Sequence, residues 1–226
     1  MKKVIEFLTE LRDNNNREWF EANKNVYKAA QAEFNDFVER LIGGIASFDD
    51  SVSGRAVKDC VYRIYRDVRF SKDKSPYKTH MGAFIAPGGR NSGNAGYYFH
   101  VEPTRDGMIG GNILSAGIYM PDPKVLKSIR EDILYNSDAF LAAVNKADGF
   151  GFDTRGSLKR VPLGYPADSP MAEYLKMKDD MSLYRYVDND FFLASGLLER
   201  IVAEYAKTAD FVGWLNRAAA YAREEM

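Results

Sequence analysis

Residues 60–80 of the chain read CVYRIYRDVRFSKDKSPYKTH, and the hydrophobic pattern changes at this stretch. Before it, apolar residues recur every three or four positions, which is the spacing of amphipathic helices. After it begins, the period changes from helical to alternating, and residues 61–65 are predicted to form a strand. The stretch also carries six basic residues, which only Asp67 and Asp73 oppose. We therefore expect helices before it, a sheet that begins within it, and a basic surface along it.

The composition is that of an ordinary globular protein. The chain has 226 residues, of which 46% are hydrophobic and 28% charged, with a net charge of -1. A chain of this length can bury roughly 70% of its unfolded surface without a disulfide or a metal. The near-neutral charge argues against a protein that binds polyanions through bulk charge, so any attraction for phosphate must be local. We predict a single domain over residues 1–226.

Cysteine usage and hydropathy indicate the compartment. Cys60 is the only cysteine, which excludes an internal disulfide and a zinc site with several cysteines. No apolar run approaches the ~20 residues that a membrane helix needs. We expect a cytoplasmic protein without a membrane partner, and a Cys60 side chain that is buried at the start of a strand. The sequence identifies no cofactor and leaves the oligomeric state open.

Two antiparallel helices are predicted before the basic stretch. The first ends at Asn14-Asn15-Asn16, because asparagine tolerates turns, and Asn15 or Asn16 can cap the second. The second carries apolar residues from Trp19 to Ile45 on one face and ends near Gly43-Gly44 or one turn later. Residues 47–60 are predicted to form a polar loop.

Alternating segments predict four strands in the middle of the chain, at residues 61–65, 79–86, 96–102 and 108–115. They are joined by a Ser-Pro loop, a glycine-rich loop and a hairpin turn at residues 71–77, 87–94 and 104–107. Short links between consecutive strands predict an antiparallel meander. Gly110-Gly111 in the fourth strand indicates either a bulge or tight bend, which we favour, or the close approach of a ligand. A further strand is expected at 182–187, as an edge strand.

Helices return after these strands. Asp122 can cap a helix that has Pro123 at its first position, and Ser137 begins a shorter one. A single helical turn is expected from Pro170, and a last helix from Phe191 onward with a break at Thr208. The chain as a whole predicts an α+β fold, an antiparallel sheet of about four or five strands flanked by N-terminal and C-terminal helices.

Several blocks of the sequence resemble, in the same order, a widespread family of conserved hypothetical proteins classed as a domain of unknown function. They read NNNREWF, RIYRDVRFSKDKSPYKTH, GYYFHVEP, GG and KRVPLGY, at residues 14–20, 63–80, 96–103, 110–111 and 159–165. The block at 63–80 is the most specific. NILSAGIY at 112–119 departs from the aromatic-glycine pairing that the family usually shows. The resemblance implies one full-length domain and brings no established activity.

The predicted hairpin of strands 79–86 and 96–102 places both histidines of the chain on one face. Side chains alternate along a strand, so the even-numbered positions share the face that lies away from the helices. A register that pairs Phe84 with Tyr98 sets His80 opposite Glu102, with His100 close by. A slip of one residue would destroy this arrangement.

Two chemistries fit this face. His80 or His100 would serve in general acid–base catalysis, oriented by Glu102, while Tyr98 helps to place the ligand. The two histidines and Glu102 could also hold a metal as a site of two histidines and one carboxylate. Their spacing matches no known ligand motif, so the sequence favours proton transfer and assigns no metal ligand. Whether the protein is an enzyme stays open.

The basic stretch has three interpretations. Its arginines can be structural partners of carboxylates such as Asp67 or Glu18. They can bind the phosphate or carboxylate of a small ligand, for which the contacts would be Arg63, Arg66, Arg69, Lys74 and Lys78. The stretch can also hold nucleic acid or an acidic protein, with Tyr62, Tyr65, Phe70 or Tyr77 as stacking platforms. Because the near-neutral pI disfavours a long polyanion, we expect a small anionic ligand, with a non-catalytic interaction module as the alternative.

Overall fold

The computed structural model describes residues 1–104 and 109–224. They form the predicted α+β fold, in which helices flank a five-stranded antiparallel sheet. The helices are α1 (Lys2–Asp13), α2 (Arg17–Ala22), α3 (Lys24–Ala46), α4 (Val57–Cys60), α5 (Pro123–Tyr135), α6 (Ser137–Lys146), α7 (Ala172–Leu175), α8 (Asn189–Leu193), α9 (Leu197–Ala206) and α10 (Ala209–Glu224). The strands are β1 (Met81–Ile85), β2 (Gly96–Val101), β3 (Asn112–Tyr119), β4 (Gly151–Phe152) and β5 (Asp180–Val187), in the spatial order β1-β2-β3-β5-β4.

Asparagine side chains set the boundaries of the first helices. The Asn16 side chain accepts a hydrogen bond from the Trp19 N–H at 2.9 Å, so it caps α2 as predicted. The long second helix of the prediction is in fact two helices, α2 and α3, which meet at Asn23. The Asn23 side chain donates to the Trp19 carbonyl at 2.9 Å. Such side-chain bonds compete with the helical ladder and explain the break.

The predicted strand at 61–65 is wrong. Its first and last residues, Val61 and Tyr65, form only isolated bridges, to Ala83 and Tyr77 respectively. Between them the chain changes partner, because the Tyr62 N–H donates to the Gly82 carbonyl whereas the Ile64 carbonyl accepts from the Lys78 N–H. A continuous ladder needs one partner segment, and here there are two.

Residues 47–60 also differ from the predicted polar loop. They include a short 3₁₀ turn at Asp50–Val52 and the helical turn α4. Cys60 is fully buried, as expected, but it ends α4 and does not open a strand.

The pairing of β1 with β2 has the predicted register. Phe84 lies opposite Tyr98, and Gly82 lies opposite His100. Phe99, on the opposite face of β2, packs against Phe34 and Phe37 of α3 with ring centroids 5.7 and 5.2 Å away. The odd-numbered face of this hairpin therefore lies against the helices, and the even-numbered face carries the histidines.

Two predictions about the remaining strands need correction. β3 begins at Asn112, later than the predicted strand at 108–115, and Gly110-Gly111 precedes it. Met108 and the turn residues 105–107 lie outside the described residues. The strand expected at 182–187 is present as β5, but it is not an edge strand, because it lies between β3 and β4. β4 has only two residues, too few to show an alternating pattern, and so the strand that covers β5 could not be predicted from the sequence.

Within the described residues, none of the helices is both long enough and apolar enough to cross a membrane.

Candidate functional site

His80, His100 and Glu102 form a buried cluster where β1 begins and β2 ends. His80 precedes β1, His100 lies in β2 and Glu102 follows it directly. His100 and Glu102 are fully buried, and His80 is 8% exposed. One nitrogen or oxygen atom from each residue lies within 4.8 Å of the others. The structure thus brings together the three residues that strand alternation placed on one face.

The two imidazole rings lie side by side and face the same carboxylate. They stack with centroids 4.6 Å apart and an interplanar angle of 29°. His100 Nε2 is 3.5 Å from Glu102 Oε2, and His80 Nδ1 is 3.7 Å from Oε1. These distances are too long for good hydrogen bonds. Within the described part of the chain, neither nitrogen has a hydrogen-bond partner.

Backbone amides hold the Glu102 carboxylate in place. Its Oε2 accepts hydrogen bonds from the Ile109 N–H at 2.8 Å and the Gly110 N–H at 2.9 Å, and a longer one from Gly111 at 3.4 Å. Gly110 and Gly111 have φ values of 87° and 139°, which favour glycine. The bend that these two glycines predicted therefore exists, and it directs backbone N–H groups at Glu102.

Tyr98 supports the cluster from the other side. Its hydroxyl lies 2.8 Å from His100 Nδ1. Burial, helped by the nearby Tyr62 and Glu102, raises the pKa of Tyr98 above its usual range, so the phenol stays neutral. A Cβ atom at Gly82 would lie 2.7 Å from the Tyr98 hydroxyl. Glycine at this position gives the phenol its room, and the sequence did not reveal that role.

Burial also keeps His80 neutral. Removal from water lowers the pKa of His80 well below its usual range. The neighbouring His100 lowers it further, and so do the positive charges of Lys78 and Arg66, against the opposing effect of Glu102. At neutral pH the His80 imidazole is therefore uncharged and has a lone pair to offer.

Comparison with known families supports the resemblance noted in the sequence. A model of the conserved hypothetical protein family DUF2461 matches residues 3–214. The chain belongs to the DUF2461 family. No curated protein and no solved structure matches it. The matched range contains the His80–His100–Glu102 cluster and the whole basic stretch.

In this DUF2461 protein, the Arg66 side chain forms contacts that stabilise the basic loop from within. Its guanidinium pairs with the Asp73 carboxylate and donates to the Ser75 carbonyl at 3.2 Å and to the Ser71 hydroxyl at 3.3 Å. Hydrogen bonds from Ser75, together with Arg66, hold the pKa of Asp73 well below its usual range. Arg66 thus has a structural role in loop 66–75.

Two other predicted anion contacts are also engaged within that loop. Arg69 pairs with Asp67 at 2.6 Å, and this contact lowers the pKa of Asp67 to about 2. The Lys74 ammonium donates to the Val68 carbonyl at 3.0 Å. Arg69 and Lys74 therefore use their hydrogen-bonding groups to shape the loop.

Lys78 and Arg63 are placed differently. Across residues 1–104 and 109–224, neither of them forms an ion pair with a carboxylate. The Lys78 ammonium lies 5.6 Å from the centroid of the Tyr62 ring. The Tyr62 and Tyr98 rings are nearly perpendicular, with centroids 6.2 Å apart. Burial, followed by repulsion from Arg63, lowers the pKa of Lys78. Lys78 therefore connects the basic stretch to the cluster of this DUF2461 protein through two tyrosines.

A cleft of ≈ 360 Å³ lies between α2 and the basic loop. Its lining includes Arg17 and Glu21 from α2 and Tyr65, Arg66 and Tyr77 from the loop region. The cleft therefore lies between the loop region and an N-terminal helix, and its lining includes no residue of the even-numbered sheet face. Asn15 links the N-terminal helices to the loop region. Its side chain donates to the Tyr77 carbonyl and accepts from the Tyr77 N–H, at 2.9 and 3.1 Å.

Proposed function

We propose that this DUF2461 protein binds a small anionic ligand, with a phosphate or carboxylate group, beside the His80–His100–Glu102 cluster and transfers a proton there. One observation carries the proposal. Two buried imidazole nitrogens face a carboxylate without hydrogen-bond partners in the described chain. Buried polar groups are normally satisfied, and exceptions concentrate at functional sites.

The proposed roles follow from the contacts. Lys78 and Arg63 supply the positive charge, because neither is engaged by a carboxylate in the described residues. Arg66, Arg69 and Lys74 shape the loop that surrounds them. Tyr98 orients His100, and His80 or His100 transfers the proton while Glu102 keeps them in place. The lone cysteine favours a reducing compartment, so we place this activity in the cytoplasm.

A thermal-shift screen of phosphate esters and small carboxylates tests the binding. A ligand that raises the melting temperature of the wild-type protein should lose most of that effect with Lys78→Gln. Lys72→Gln is the matched control, since this substitution removes the same charge from an exposed position of the same basic stretch. Equal loss in both variants would show a general charge effect and would contradict a specific role for Lys78.

A second function is favoured by the exposed rings of the basic stretch. Phe70 is 96% exposed, and Tyr65 and Tyr62 are 47% and 40% exposed. Aromatic faces among cations are the usual platform for single-stranded nucleic acid. If the protein is such an interaction module, a gel shift with single-stranded RNA or DNA should weaken steeply with salt and with Phe70→Ala. Absence of any shift at low salt would remove this candidate.

A further inference from the structure

We infer that the His80–His100–Glu102 cluster is a binding site for one divalent transition-metal ion of the zinc, cobalt(II) and iron(II) class. The inference shares a location with the proposed function but stands on the geometry of the cluster alone. It needs no anionic ligand and can be tested without one.

The donor set is of the right chemical kind. Two imidazoles and one carboxylate are ligands that zinc and iron(II) accept, whereas magnesium and calcium prefer sites built from oxygen atoms. Donors at about 2.0–2.2 Å from a tetrahedral ion lie roughly 3.5 Å from one another. The separations of 3.5 and 3.7 Å between the imidazole nitrogens and the Glu102 oxygens match that value. The donor atoms of all three residues lie within 4.8 Å of one another.

The unpartnered nitrogens point to a missing ligand. His80 Nδ1 and His100 Nε2 are both buried and make no hydrogen bond with the described residues. Buried polar groups in folded proteins are normally satisfied, so two such nitrogens side by side require an explanation. A single cation between the two nitrogens and Glu102 would engage both at once, and a water molecule is the alternative occupant that the experiment must separate.

Contacts outside the cluster already hold two of its three side chains. His100 uses its other nitrogen, Nδ1, for the Tyr98 hydroxyl at 2.8 Å, which leaves Nε2 for the ion. The Glu102 carboxylate is fixed by the N–H groups of Ile109 and Gly110, which donate to Oε2, the oxygen that also faces His100 Nε2. Metal-binding histidines and carboxylates are characteristically oriented by such outer contacts.

A metal at this position would also change which group exchanges the proton. Three protein ligands leave a coordination position open, and a water bound there by zinc has a much lower pKa than bulk water. The histidines would then be ligands, and the bound water would exchange the proton with an anion drawn in by Lys78. A nitrogen cannot coordinate the ion and act as a free base together, so metal titration decides between the two roles.

The test uses the full chain without a histidine tag, stripped with a chelator and titrated with Co²⁺ and Zn²⁺. Because the chain has only two histidines, any imidazole signature belongs to this site. We expect one equivalent of Co²⁺ to produce visible ligand-field absorption, and one equivalent of Zn²⁺ to shift the ring-nitrogen NMR signals of both histidines. His80→Gln and His100→Gln should each weaken binding by at least ~100-fold, and Tyr98→Phe by about 10–100-fold.

Asp153→Asn is the control for adventitious carboxylate binding, because Asp153 pairs with Arg155 and directly follows β4, at the opposite edge of the sheet from β1. The affinity of this variant for metal should equal that of the wild type. The inference is overturned if the wild-type protein binds no metal, which is the result expected of a site that holds only water. It is also overturned if metal binding survives in the variant that combines His80→Gln and His100→Gln. Should the Gln variants fail to fold, the wild-type NMR titration still decides. The thermal-shift screen is run on metal-free and metal-loaded protein. Metal binding without any anion that stabilises the protein would contradict only the proposed function. Anion binding without metal binding would contradict only the metal site.

Discussion

At Gly82, the absence of a methyl group determines whether Tyr98 can reach His100. The site of a Cβ atom there lies 2.7 Å from the Tyr98 hydroxyl and 3.0 Å from the ring. Both distances are tighter than normal van der Waals contact. A side chain at position 82 would therefore push the phenol away from the hydrogen bond that orients His100.

Gly82→Ala should consequently lower the free energy of unfolding by about 1–3 kcal/mol, the usual cost of an overpacked interior. Gly43→Ala is the control, because Gly43 is exposed in α3 and a Cβ atom there meets nothing within 4 Å. It should stabilise the protein by up to ~1 kcal/mol through helix propensity. Urea denaturation measures both, and changes of the same sign would contradict the steric explanation.

The Cys60 thiol should be unreactive in the native protein. It is fully buried, and burial raises its pKa to about 11. Because only the thiolate attacks a disulfide reagent, reaction with DTNB at pH 8 should be slower by at least ~100-fold than in the unfolded chain. The rate should rise with pH by about tenfold per unit until the pH approaches that pKa. Equal rates in native and unfolded protein would show that the thiol is accessible.

The cluster could be predicted from the sequence because its position depends only on the side-chain alternation and the register of two paired strands. Alternation and the Phe84–Tyr98 pairing determine which residues share a face, and His80, His100 and Glu102 follow from that. The sequence could not show that Gly82 leaves room for the Tyr98 hydroxyl, or that the Asn15 side chain hydrogen-bonds the Tyr77 backbone. Those roles depend on segments that approach only in the folded chain. The commitment of Arg66 to Asp73 was hidden for the same reason.

Among the elements, β5 has a different position from the one predicted. It is covered on one side by β3 and on the other by β4, so its inward side chains belong to the core. Leu183 is fully buried opposite Ala116 of β3 and Phe152 of β4. An edge strand was inferred because β4 is too short to be recognised. The alternating pattern identified the strand, but long-range pairing decided its neighbours.

Leu183→Ala should therefore destabilise the protein by about 2–5 kcal/mol, as expected for a cavity in a packed core. Tyr186→Ala, on the same strand but at a side chain that is 52% exposed, should cost less than ~1 kcal/mol. Guanidinium denaturation of the two variants gives the comparison. Similar small losses would mean that β5 is peripheral after all.

Loop 66–75 should owe its order to the Arg66–Asp73 contact. Asp73→Ala removes the carboxylate that Arg66, Ser75 and the Ser75 N–H all use. We expect trypsin to cleave at Lys72 or Lys74 several-fold faster, because local opening precedes cleavage, while the melting temperature changes little. Asp36→Ala breaks an exposed pair with Arg40 on α3 and should leave the cleavage rate unchanged. Unaltered cleavage in Asp73→Ala would show that other contacts order the loop.

At the scale of the molecule, one hydrophobic core runs from α1 to α10. It includes residues beyond position 214, where the family match ends. Leu215, Ala218, Ala219 and Ala222 are buried on α10, and the Ala218 carbonyl accepts a hydrogen bond from Ser128 of α5 at 2.8 Å. The C-terminal turns of α10 are therefore part of the same core, and we expect the whole chain to unfold in a single transition.

A pair of neighbouring substitutions tests this continuity. Ala219→Asp buries a carboxylate in the core and should lower stability by more than ~3 kcal/mol or prevent folding. Ala220→Asp places the same group at the next, exposed position and should change stability by less than ~1 kcal/mol. Circular dichroism melts distinguish them. Equal tolerance of both changes would show that α10 beyond residue 214 contributes little to the core.

The way Glu102 is held has a consequence for how the protein can be studied by mutation. Its described N–H donors belong to the main chain at Ile109, Gly110 and Gly111, and alanine replacement leaves every amide N–H present. A scan that truncates side chains would therefore pass over the groups that position the carboxylate. Proline is the replacement that deletes the donor itself. Which residues look important in this region will depend on the substitution chosen as the probe, since the relevant chemistry resides in the path of the backbone.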